Sequence, residues 1–227
     1  MSTRLRSSTR ASTAASDFLA DQGGDTKTKQ ESRSRAKLPQ APRGNELLRL
    51  RNIMFLALIS AWTVTGVVLY CAYNDILKLY PKSITKPDAL KGFNARFEYS
   101  VRYQILLAVW LLFNVCTVIF VRFSKRALNP LVPSTEVAAQ CQKNILNNSI
   151  EQVFISVLLQ FAFASFAEPS LVMKMIPAVN FLVFFGRIAY FLGYPMYRTF
   201  GITLTAFPSI LMAGYNLYKF GSFLDLY

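Results

Sequence analysis

The chain has 227 residues, no histidine and three cysteines; 53% of its residues are hydrophobic and its net charge is +13. The absence of histidine excludes Ser-His-Asp and Cys-His catalysis and removes the commonest metal ligand, and the cysteines lack CxxC spacing, so no metal site is predicted. The basic residues lie in the amino-terminal segment and beside apolar runs, which favours a membrane surface and argues against a nucleic-acid partner.

The first segment, residues 1–46, is rich in Ser, Thr, Lys and Arg and poor in large apolar residues. Such a composition cannot bury enough apolar surface to offset chain entropy, so we predict a disordered, basic tail. Its start is Arg- and Ser-rich with no acid before Asp17, as in mitochondrial transit peptides. A mitochondrial membrane therefore stays open as an alternative to an endomembrane of the ER, the Golgi or a lysosome-related organelle.

Five apolar runs follow, each long enough to cross the hydrocarbon core as an α-helix. We therefore predict an all-α integral membrane protein in which a transmembrane helix within 47–75 and a loop at 76–102 precede a four-helix domain at 103–218 and a short end at 219–227. A tight turn at 168–170 makes the third and fourth spans antiparallel neighbours. The predicted spans are 52–73, 103–121, 136–167 (capped by Ser134 or Thr135), 171–197 and 202–218.

Charge around the first two spans predicts the orientation. Arg49 and Arg51 precede the first span, and Arg122 and Lys125 follow the second, so both flanks are expected in the cytosol. The loop at 76–102 and the carboxyl terminus are then lumenal. The sequon at Asn147 falls at the cytosolic boundary and is predicted to be unmodified.

Polar residues in the third and fourth spans recur at helical spacing. Asn144, Asn148 and Glu151 lie at i, i+4 and i+7 and share one face of the third span. Because the two spans are antiparallel, this face and a matching face of the fourth span lie in the same, cytosolic half of the membrane. That second face carries Arg187, Tyr190, Tyr194 and Arg198.

Glu151 and Arg187 are the natural partners across these two faces. A charged side chain in apolar surroundings costs at least ~2.5 kcal/mol on insertion, so such residues normally face the bundle and pair. The pair is either a salt bridge that locks two helices or part of a face that also touches a polar ligand.

The two polar stretches, "NSIEQ" and "GRIAYFLGYPMYRTFG", together resemble the MAPEG family, the membrane-associated proteins of eicosanoid and glutathione metabolism. The resemblance covers residues 103–218, and the added span and tail look most like the mattrin branch. It implies a four-helix bundle that forms a homotrimer and holds glutathione, without a metal, between protomers. It also implies that Asn148 and Glu151 bind glutathione, that Tyr190 and Tyr194 contact it, and that Arg187 is more structural.

The chain departs from the family where glutathione is activated. Activating members have arginine where this chain has Asn144, and a second arginine, which stabilises the thiolate, where residues 201–203 stand. Without that cation a thiol stays mostly protonated at neutral pH. Arg198 is the candidate catalytic substitute, unless it only snorkels to the interface.

Two functions follow. The favoured one is a non-catalytic or weakly catalytic MAPEG-like endomembrane protein with a structural or regulatory role in membrane trafficking or in control of a partner membrane protein. The alternative is a glutathione-dependent transferase, isomerase or peroxidase acting on a lipophilic substrate. A channel or transporter is disfavoured because no span has a repeated polar lining.

Overall fold

The computed structural model describes residues 44–81, 87–125, 133–195 and 197–225, with side chains from Leu48 in the first helix and from Ala139 in the third. The predicted tail lies outside this part, except that its last residues begin the first helix. Residues from Arg49 onward form one compact unit. The described residues contain no strand. They form five helices: α1 (Gly44–Tyr73), α2 (Phe93–Ser124), α3 (Pro133–Phe166), α4 (Pro169–Gly193) and α5 (Arg198–Phe223). A short 3-10 turn, Pro87–Leu90, lies between α1 and α2.

All five helices are long and apolar enough to cross a membrane, which confirms the predicted number of spans. The shortest spanning segment has 25 residues, or about 37 Å of helix, against a hydrocarbon core of about 30 Å. Large apolar side chains such as Leu56 and Phe120 point outward, as expected for lipid-facing surfaces. The described part of the chain is therefore all-helical, and its five candidate spans fit a multi-pass membrane protein.

The central element of the bundle is α4, which packs against α2, α3 and α5. In its most apolar stretch 56% of the residues are buried, against 11% in α1. The peripheral α1 contacts the bundle through side chains, including Trp62, whose ring stacks on Phe207 at 5.1 Å between centroids. The polar residues Asn180 and Arg187 of α4 are accordingly buried.

Successive helices alternate in direction, and this gives the bundle two ends. At one, here called the far end, Arg96 Nη1 donates to the Ala167 carbonyl at 2.7 Å and Lys174 Nζ donates to the Tyr73 carbonyl at 3.0 Å. The other, the tail end, holds the start of α1, the end of α4 and the start of α5. A tight turn joins α3 to α4 as predicted, but it comprises residues 167 and 168, since α3 ends at Phe166 and α4 already begins at Pro169.

Several helix boundaries differ from the predicted ones. Helix α2 begins at Phe93, inside the predicted loop, because its first turns are packed: Tyr99 is buried and its hydroxyl donates to the Met173 carbonyl at 2.9 Å. Helix α3 begins at Pro133, so the proposed caps Ser134 and Thr135 fall inside it. At the other side, α5 continues to Phe223 and takes up part of the predicted carboxyl-terminal end.

The end of α4 also differs. The helix stops at Gly193 instead of continuing to 197, because a residue before proline disfavours helical geometry and Tyr194 precedes Pro195. Tyr194 accordingly has extended backbone angles, φ −71° and ψ 138°. Arg198 is therefore the first residue of α5, and the prediction that it shares a face of the fourth span is wrong.

Candidate functional site

A buried arginine lies at the centre of the tail end, where α3, α4 and α5 meet. The Arg187 side chain is 0% exposed. Its Nη1 donates to Asn148 Oδ1 on α3 at 2.9 Å, and its Nε and Nη2 donate to Thr205 Oγ1 on α5 at 3.1 and 2.8 Å. One planar guanidinium therefore bonds two neighbouring helices from a third.

Thr205 can accept two bonds because of how its own hydroxyl is used. The Thr205 hydroxyl donates to the Gly201 carbonyl one turn earlier in α5, at 2.8 Å. The hydroxyl donates its only proton in this bond, so both lone pairs of its oxygen are available to accept hydrogen bonds from Arg187. The guanidinium, the hydroxyl and the carbonyl form a chain in which each of the three guanidinium nitrogens donates one hydrogen bond within the described residues.

Two glycines bring α4 and α5 close enough for these bonds. A Cβ atom at Gly201 would lie 2.6 Å from both the Gly186 carbonyl oxygen and the Tyr190 Cα, and closer still to the Tyr190 nitrogen. A Cβ atom at Gly186 would lie 2.6 Å from Thr205 Oγ1. The two backbones are in direct contact, as membrane helices are where small residues face each other.

A row of contacting side chains, including two tyrosines, extends from Arg187 to the surface. The Arg187 guanidinium carbon lies 5.0 Å from the centroid of the buried Tyr190 ring, which packs edge-on against Tyr194 at 5.7 Å. The Tyr194 hydroxyl accepts a bond from Asn144 Nδ2 at 3.3 Å, and the exposed Arg198 lies 5.9 Å from the Tyr194 ring. The structure thus brings together six of the seven residues that the sequence singled out.

The seventh, Glu151, does not join them. Its side chain is exposed on α3, and among the described residues it makes no hydrogen bond or ion pair. The predicted pairing of Glu151 with Arg187 is wrong, because neutral oxygens of Asn148 and Thr205 accept the guanidinium instead. A carboxylate turned outward avoids the desolvation that pairing inside the bundle requires.

A second polar cluster, which the sequence analysis missed, lies deeper in the membrane. Gln160 Oε1 accepts bonds from Gln104 Nε2 of α2, at 2.9 Å, and from Asn180 Nδ2 of α4. Gln160 Nε2 donates to Ser156 Oγ at 3.1 Å. Single amides inside long apolar runs were the available signal, since such residues usually bond across membrane helices. Hydrogen bonds, without any ion pair, hold α2, α3 and α4 in register there.

The described residues contain no group of three or more His, Cys, Asp or Glu side chains that can hold a metal. The cysteines Cys71, Cys116 and Cys141 are free thiols. What the tail-end cluster offers chemically is a buried cation hydrogen-bonded to Asn148 and Thr205, two tyrosines and an exposed arginine.

Comparison of the chain with protein-family models, with curated proteins and with solved structures finds no match. The class of the protein therefore rests on the fold: an all-helical membrane protein with five candidate spans and a hydrogen-bonded polar cluster at one end.

Proposed function

We propose that this chain is a MAPEG-like multi-pass protein of endomembranes that does not transfer glutathione and acts by controlling a partner membrane protein or membrane trafficking. The observation that carries the proposal is the set of three hydrogen bonds by which Arg187 holds Asn148 and Thr205. The Asn148 oxygen, which the family resemblance assigns to glutathione, accepts a bond from Arg187 at 2.9 Å inside the chain. A residue engaged in holding helices together is a poor ligand-binding group.

The packing of α5 supports the same proposal. Residues 201–203 stand where glutathione-activating relatives carry the arginine that stabilises the thiolate. Gly201 is the point at which α5 touches the backbone of α4, so a side chain there has no space. Arg198 is exposed beside Tyr194, where water and lipid headgroups compete for its charge. An exposed arginine is a weak substitute for a cation held in a dry site.

The family resemblance also suggests an oligomeric state. We propose that residues 103–218 form the trimerising bundle, that α1 is an addition at its edge, and that the exposed Glu151 lies toward a neighbouring protomer. The tail is proposed to be cytosolic and the far end lumenal. The basic, Ser/Thr-rich tail then stands where cytosolic regulators and anionic lipid headgroups reach it.

An activity assay tests the proposal. Purified full-length protein in lipid nanodiscs is expected to leave the spontaneous rate of glutathione conjugation to a generic aryl halide unchanged. Glu151→Gln is expected to lower the trimer fraction or the cellular abundance, because it removes a charge proposed to lie at the subunit boundary. Native mass spectrometry and quantitative blotting measure these two quantities.

Glu98→Gln is the matched control, since Glu98 is also exposed and its one ion pair within the described part of the chain is with the exposed Arg102 on its own helix. It should change neither quantity. If the wild type accelerates conjugation, and Glu151→Gln is a normally abundant trimer without that activity, the protein is a glutathione transferase and the proposal is wrong.

A further inference from the structure

At the far end, opposite the polar cluster, a cleft of about 550 Å³ opens between the end of α1, the start of α4 and the end of α5. It is lined by charged and aromatic side chains that the proposed function does not use. These are the lysines Lys174 and Lys219, the carboxylate Glu168 and the tyrosines Tyr73, Tyr215 and Tyr218.

An open apolar cavity of about 190 Å³ adjoins this cleft on the side toward the middle of the bundle. The two spaces share Leu171 and Tyr215 as lining residues. The cavity wall follows α4 through Leu171, Met175 and Val179, which lie about one turn apart and together span about 12 Å along the helix. A polar mouth over an apolar shaft matches an amphiphile with a charged head and a hydrocarbon chain.

The charges of the cleft are arranged unequally. Lys174 is occupied, because its Nζ bonds Asp75 Oδ2 at 2.5 Å, and this hydrogen bond lowers the pKa of Asp75. Lys219 makes no ion pair with the described residues; its Nζ lies 5.9 Å from the Tyr215 ring. Lys219 is therefore the lysine whose charge is available to an anionic group such as phosphate.

The cleft also contains a carboxylate that can bind a positively charged group. Glu168, at the turn between α3 and α4, is exposed and forms no ion pair in the described part of the chain. A carboxylate next to tyrosine rings is the environment that favours an ammonium group, through Coulomb attraction and cation–π contact. A purely anionic headgroup would be repelled by Glu168, and a soluble headgroup would leave the apolar shaft unused.

We propose that this cleft binds a zwitterionic phospholipid, with its phosphate at Lys219, its amine head between Glu168 and the tyrosines, and one acyl chain in the cavity along Met175 and Val179. The site is on the opposite side of the membrane from the cluster around Arg187. It stands independently of whether the protein binds glutathione.

Competitive lipid capture tests this site. The full-length protein is placed in nanodiscs of equal phosphatidylcholine and phosphatidylglycerol, and phosphatidylcholine with a diazirine on one acyl chain is photolysed. We expect crosslinks to map to α4 and α5 around the cavity, and Lys219→Gln to reduce them about tenfold, as loss of one charge-assisted hydrogen bond does. Met175→Trp, which fills the shaft, should reduce them as well, and circular dichroism checks that it folds.

Lys91→Gln is the control, because Lys91 is an exposed lysine near the same end that pairs with Asp88 and does not line the cleft. It should leave the crosslinks unchanged. Glu168→Gln is expected to shift preference toward phosphatidylglycerol, since it removes the ammonium partner. Equal crosslinking in all variants, or stronger capture of phosphatidylglycerol by the wild type, overturns the proposal.

Discussion

Gly201→Ala is expected to separate α4 from α5 and to lower the free energy of unfolding by about 3 kcal/mol or more. The added methyl group would overlap the backbone of Tyr190 and the carbonyl of Gly186, and backbone atoms cannot rotate away as a side chain can. Any shift of α5 also lengthens the bonds between Arg187 and Thr205. Unfolding by SDS titration or by heat, followed by circular dichroism in lipid nanodiscs, measures the change.

Gly214 and Gly66 are matched controls, since a Cβ atom at either one meets no atom within 4 Å. Both lie inside helices, where alanine is favoured over glycine by about 0.5–1 kcal/mol. Gly214→Ala and Gly66→Ala should therefore be neutral or slightly more stable. A Gly201→Ala protein as stable as these controls would show that the two helices are not in backbone contact.

Thr205→Val has the second largest expected effect. Valine fills the same volume but removes the oxygen that accepts two of the guanidinium bonds, at 2.8 and 3.1 Å. The buried guanidinium then keeps only its bond to Asn148 among the described residues. Removing one partner of a buried charge is strongly unfavourable, and we expect a loss of about 3–5 kcal/mol in the same unfolding assay. Thr205→Ser, which keeps the hydroxyl, should lose much less.

A double substitution separates this explanation from a simple packing defect. If the unpaired charge causes the loss, Arg187→Met removes the cause, and the double variant with Thr205→Val should be more stable than Thr205→Val alone. The coupling energy between the two sites is then large, as for residues in one hydrogen-bond network. Additive losses would contradict the role assigned to the Arg187 guanidinium.

The spans could be predicted from the sequence because hydropathy over some twenty residues is enough to identify a membrane helix. The helix ends could not, since they depend on contacts between distant residues. Tyr99 extends α2 by bonding to the Met173 carbonyl, 74 residues away. The end of α4 could have been predicted locally, because Pro195 disfavours helical geometry at the residue before it. The prediction followed the apolar run past Pro195 instead.

The periodicity of polar residues brought the correct side chains together but assigned one wrong partner. Matching opposite charges selected Glu151 for Arg187, whereas the rotation of α3 in the bundle presents Asn148. Thr205 was overlooked because a hydroxyl in an apolar helix usually bonds its own backbone. That it also accepts hydrogen bonds from Arg187 becomes visible only when α4 is packed against α5. The far-end cleft was missed since its residues come from three segments that are distant in sequence.

Titration calorimetry of reduced glutathione into the full-length protein in lipid nanodiscs tests the central claim, that Arg187 and Asn148 bond each other within the chain instead of a ligand. With Asn148 and Thr205 already accepting the bonds of Arg187, we expect heats equal to those of dilution. A saturable binding isotherm that is lost in Tyr194→Phe would contradict the account, because it would show that the cluster opens to hold a ligand.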